Sequence, residues 1–178
     1  GTRPEEGLAP LVDGDTWAWL ATAARAEGEL KVTPVNRAFS APHMEHAVAA
    51  NLGGKVALLG YDLEVQEAAA WVTLYWQAQA PVDRSYTVFL HLLDGQGKLI
   101  AQSDGLPAAG VRPSNSWAPG EVIADRRVLA LPTGLPAAQY RLAAGMYLLE
   151  TLERLPVLGA GGQVAGDSAD LGELTLPR

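Results

Sequence analysis

Three histidines, six serines and twenty acidic side chains are what this 178-residue chain offers for chemistry, and it has no cysteine. His43-Met44-Glu45-His46 puts two imidazoles beside a carboxylate. An H-x-x-H spacing can place two imidazoles together on a helix, but Pro42 and the irregular flanks argue against a helix here. With no third ligand evident, no metal site and no cofactor are expected. His91 lies between Leu90 and Leu92, where a partly buried, hydrogen-bonded histidine is the expectation. None of the serines sits in a G-x-S-x-G elbow, so a serine hydrolase is not supported. Glu121 and Asp125, Asp62 and Glu64, and Asp104 are the acidic residues from which a two-carboxylate glycosidase could be built. Asp94, Asp104 and the pair Asp167/Asp170 could hold calcium through loop oxygens, although no twelve-residue ligand loop is present. Gly159-Ala160-Gly161-Gly162 lacks the G-x-G-x-x-G spacing and reads as a hairpin or loop.

Aromatic side chains give the clearest binding hypothesis. Tyr75 falls on the polar face of its segment, and Trp117 lies in the turn-rich run Arg112-Pro113-Ser114-Asn115-Ser116-Trp117-Ala118-Pro119-Gly120. An exposed ring near Arg112, Asn115 and Asp104 could stack on a sugar while amide and charged groups take its hydroxyls. Alternatively, Trp117 folds back and plugs the end of the domain.

The elements that must position these residues are strands. Hydrophobic residues make up 48% of the chain, enough to bury a core, and the formal charge of -7 argues against a nucleic-acid partner. No apolar run is long enough to span a membrane. The lack of an initiator Met and the abrupt Gly-Thr-Arg opening read as a piece of a longer protein, with Gly1 as a scar.

Along the chain, Asp15–Glu27 has an N-capping residue, several alanines and a stop at Gly28, which predicts a short helix, and Leu30–Val35 could be an edge strand. Residues 1–45 read as a lead-in or linker and 46–178 as the domain. Strands are expected near Lys55–Leu63, Ala70–Gln79, Tyr86–Leu93, Leu99–Ser103, Val122–Leu131, Ala138–Leu149 and Asp170–Leu176. In the second, Val72, Leu74, Trp76 and Ala78 share one face and Thr73, Tyr75, Gln77 and Gln79 the other. The third is apolar on both faces and should be central, with its second face covered by a loop or the lead-in. The four-residue connector Pro81–Arg84 between these two strands suggests a hairpin. Asp94-Gly95-Gln96-Gly97 should turn the chain between Leu93 and Leu99. Pro132 and Pro136 belong outside the sheet. Seven such runs without long helices predict an all-β, antiparallel two-sheet β-sandwich, immunoglobulin-like or jelly-roll-like.

The phrases KVALLGYDL, VTLYWQAQA, YTVFLHLLD, WAPGEV and the ending Gly166–Leu176 together resemble a module at the C-terminal end of multi-spanning bacterial membrane proteins. Those proteins are related to dolichyl-phosphate-mannose-type (family 39, GT-C) glycosyltransferases, especially in Chloroflexi-like bacteria. The likeness covers roughly residues 46–178. It implies an extracytoplasmic β-sandwich attached to a membrane-anchored, sugar-transferring protein whose acidic catalytic loop and spanning helices are not in this sequence. Three functions follow as expectations: a non-catalytic accessory domain for interaction or substrate presentation, with a glycan or polypeptide partner; a carbohydrate-binding module using Tyr75, Trp117, Arg112 and Asn115; or a small glycoside hydrolase.

Overall fold

The computed structural model describes residues 21–26, 29–34, 36–66 and 68–176. Twelve strands are present among them: β1 (Ala21–Ala26), β2 (Glu29–Pro34), β3 (His46–Leu52), β4 (Val56–Gln66), β5 (Ala69–Ala78), β6 (Thr87–Leu93), β7 (Leu99–Gly105), β8 (Val122–Ala130), β9 (Gln139–Tyr147), β10 (Val157–Leu158), β11 (Val164–Gly166) and β12 (Ala169–Thr175). A six-stranded antiparallel sheet in the order β11-β10-β3-β4-β5-β8 packs against a four-stranded one in the order β12-β9-β6-β7, and β1 and β2 form a separate hairpin. The fold is the expected all-β sandwich.

Side-chain alternation explains why the sheets stack. On β5, Val72, Leu74, Trp76 and Ala78 are fully buried, and they meet Val88, Leu90 and Leu92 of β6 and Leu142, Ala144 and Met146 of β9 in one apolar core. The other face of β6 is covered as well. Phe89 is buried because Arg154, from the segment after β9, lays its guanidinium 4.3 Å over the ring. Opposite Phe89 stands Gly145, where a Cβ would come within 2.5 Å of the ring. Only glycine leaves room for the phenyl there.

Asp94–Gly97 makes the expected tight turn. Asp94 Oδ1 accepts the backbone N–H groups of Gln96 and Lys98, Gly97 has φ +79°, and Leu93 faces Leu99 across the ladder. The prolines at 132 and 136 lie between β8 and β9, outside the ladders. Gly159–Gly162 closes the β10–β11 hairpin, with Gly162 N–H donating to the Gly159 carbonyl.

Two expectations are corrected. β5 and β6 are not a hairpin: β5 pairs with β4 and β8, whereas β6 pairs with β7 and β9, so Pro81–Arg84 carries the chain from one sheet to the other. Where the helix over Asp15–Glu27 falls within the described residues, at Ala21–Ala26, the chain is a strand paired with Glu29–Pro34. Cross-strand pairing there overrides the helix preference of alanine, since propensity yields to tertiary context. The rest of that segment lies outside the described residues.

Candidate functional site

Two carboxylates of the suggested glycosidase set are interior. Glu121, just ahead of β8, is 0% exposed and accepts hydrogen bonds from Arg37 Nη1, Arg112 Nη2 and the Ala118 backbone N–H. A buried carboxylate must be matched in this way, since an unpaired one is too costly to retain. Asp125, also 0% exposed, faces inward from β8. It accepts from Arg127 Nε at 2.9 Å and from the Ala108 N–H at 2.8 Å. Both therefore tie loops to the sandwich: Glu121 holds the lead-in through Arg37, and Asp125 holds the turn after β7.

Tyr75 is on the outer face of the six-stranded sheet, as alternation requires. Its hydroxyl donates to Asp62 Oδ2 at 2.6 Å, and Asp62 Oδ1 accepts the Glu45 N–H. The bond to Asp62 pushes the Tyr75 phenol up to about 12, and the same bond holds the Asp62 carboxyl below its ordinary value. His46 opens β3 and stacks on Tyr61 with ring centroids 4.6 Å apart, while His43 is exposed in the preceding segment. The H-x-x-H run is thus extended, not helical. Among the described residues no three His, Asp or Glu side chains come together in a metal-binding group.

Trp117 is 4% exposed and belongs to the core, with its Nε1–H donating to the Arg112 carbonyl at 2.9 Å. It is the plug of the sandwich end, and its ring has no free face for a sugar. Arg112 is committed to Glu121, Asn115 is exposed, and Asp104 sits two strands from β9, where its carboxylate accepts from the Tyr147 hydroxyl and stands 3.8 Å from His91 Nε2. Burial pushes the His91 imidazole down, against the upward pull of Asp104. Tyr75 and Trp117 share no exposed surface, and the five suggested contact residues are not gathered at one place. The acidic residues suggested for calcium serve their own loops: Asp94 its turn, Asp167 an ion pair with Arg154, and Asp170 the Gly172 N–H.

No protein-family model matches the chain, and no curated protein does. Among solved structures it is similar to a β-glucuronidase from glycoside hydrolase family 2, with a TM-score of 0.34 and 15% identity, over 56% of this chain and 11% of that one. The chain therefore spans a small part of that enzyme's length, and the likeness bears on neither activity nor substrate.

A concavity also opens between the sheet edges, and Asp104 is among the residues that line it. An open groove of about 470 Å³ runs between β7 and β8, the outermost strands of their sheets, and is lined by Ser103, Gly105, Leu106, Arg126, Arg127 and Val128 among others. Arg127 is only 6% exposed, and its Nη2 donates to the carbonyls of Gly105 and Leu106. A signal for it was present in the sequence. Asp125 and Arg127 share the inward parity of Ile123 and Leu129 on β8, and charges at two inward positions must be paired.

Proposed function

We propose that this chain is a non-catalytic accessory β-sandwich of a membrane-bound, glycosyltransferase-like protein, placed outside the cytoplasm, where it packs on the transferring part or presents substrate to it. The observation that carries the non-catalytic reading is the fate of Glu121 and Asp125. Both are fully buried and saturated by arginine and backbone donors, so neither can act as an acid or base on a solvent-side bond. The phrases that resemble the membrane-protein module fall on β4, β5, β6 and the Trp117 plug, which supports a framework role for them.

The test is turnover of a panel of chromogenic glycosides by the purified chain, together with the gene context. No hydrolysis is expected, and membrane spans are expected upstream of the coding segment. Hydrolysis that Asp125→Asn abolishes in a folded protein would overturn the non-catalytic reading, and a parent gene without spans would overturn the placement.

A further inference from the structure

The groove between β7 and β8 lies over a buried ion pair. Asp125 fixes the guanidinium of Arg127 through Nε and Nη2, and its other oxygen holds the turn at Ala108. That turn is strained: Ala108 and Ala109 both adopt left-handed backbone conformations, with φ of 49° and 54°. Strain of this kind persists where surrounding structure enforces it, and it collects at binding sites. Among the described residues nothing binds Arg127 Nη1. It faces Gly105, where a Cβ would stand 3.2 Å away, so glycine keeps the guanidinium edge open. Ser103 has the same inward parity as Gly105 on β7 and adds a hydroxyl. Leu106 is exposed at the margin, while the alternate residues Asp104 and Val128 turn to the outer faces of their sheets, Asp104 accepting from the Tyr147 hydroxyl.

We propose that this groove binds the vicinal hydroxyls of a neutral saccharide. The fixed Nη1–H groups and Ser103 would donate to the sugar oxygens, and Leu106 would lie against the ring C–H groups. A simple anion fits less well, because Asp125 already balances Arg127. Arg126 leans over the Trp71 ring at 4.6 Å, on the outer face of the sheet. The volume suits a small ligand. This deepens the accessory reading, on which it rests, by giving substrate presentation a place.

The experiment is an amide and arginine Nε NMR titration of the 178-residue chain with methyl glucoside, galactoside and mannoside and their short oligomers at millimolar concentration, with acetate and phosphate as parallel titrants. At least one saccharide should shift the signals of Gly105 to Gly110 and of Arg127. Ser103→Ala, which leaves the buried pair intact, should weaken that binding about two- to tenfold, as expected for one lost hydrogen bond. Gly105→Ala, which crowds Nη1, should weaken it further. Absence of shifts with every saccharide, equal or stronger shifts with acetate or phosphate, or unchanged affinity in both variants would each overturn the site. Hydrolysis of a titrant would instead overturn the non-catalytic reading, whereas failure to bind with no turnover would sink the groove alone.

Discussion

Trp76 and Trp117 are both buried indoles, yet different devices hold them. Trp76 sits mid-strand on β5, is fully buried between the sheets, and its Nε1–H has no hydrogen-bond partner. Trp117 sits in a turn, and its Nε1–H is anchored on the Arg112 carbonyl, beside Glu121 and its two arginines. A strand position inherits its direction from the pleat and needs no further instruction. A turn position has no such default, so the ring is placed by a hydrogen bond and by the charged cluster that fixes the loop.

Emptying the strand site should have the largest effect. Trp76→Ala is expected to cost about 3–5 kcal/mol in urea unfolding, for lost burial and the cavity left behind. A loss below about 1 kcal/mol would mean that the inward face of β5 is reversed. Glu121→Gln attacks the other device. It leaves two arginines facing a neutral amide in the interior, at a cost of about 3 kcal/mol. Because Glu121 also accepts the Ala118 N–H and restrains Arg112, its loss should free Trp117 selectively. Red-shifted fluorescence that disappears in a Trp117→Phe background would show this, whereas a shift retained there would place the disturbance at another tryptophan.

The same contrast marks what could be read in advance. All seven expected strands exist; β5 and β8 carry clean alternation and β6 an apolar run on both faces. β3 escaped notice because HAVAANL is short and alanine-rich, and its ladder is interrupted by a bulge at Ala47–Ala50 with Ala49 at φ +58°. Periodicity assigns faces but not partners, which is why β5 and β6, close in sequence and alike in pattern, fall in different sheets. Of the suggested site residues, Tyr75 was placed on the correct face by parity. Trp117, Arg112 and Asn115 lie in a turn, where parity says nothing. The groove depends on a contact between β7 and β8, strands from different sheets, and only the inward charges of Asp125 and Arg127 hinted at it.

Tyr75, next to Trp76 but on the opposite face, extends the comparison to the surface. Its phenol is raised from 10.0 to about 12, first by donating to Asp62, so the stabilisation from that bond is complete below about pH 10 and is lost as pH rises through about 12. The Asp62 carboxyl is depressed below 3.8 by the same bond, so at the acid end its contribution is present above about pH 4 and is lost as pH falls through the lowered value. Tyr75→Phe should cost about 1 kcal/mol at neutral pH. It should also remove the late phase of phenolate absorbance in an alkaline titration. If that phase survives in the variant, another tyrosine carries it.

The finest test replaces each indole by phenylalanine. At Trp76 no hydrogen bond is lost and an unpartnered buried donor is removed, which offsets part of the penalty for the smaller ring. At Trp117 the smaller ring is accompanied by loss of the Nε1–H bond, and the Arg112 carbonyl is left without that donor. Trp117→Phe should therefore cost about 1 kcal/mol more than Trp76→Phe, the worth of one net hydrogen bond, although Trp76 is the more deeply buried ring. Equal losses in paired urea unfolding curves would mean that the bond to Arg112 does not hold Trp117, and that packing alone places both rings.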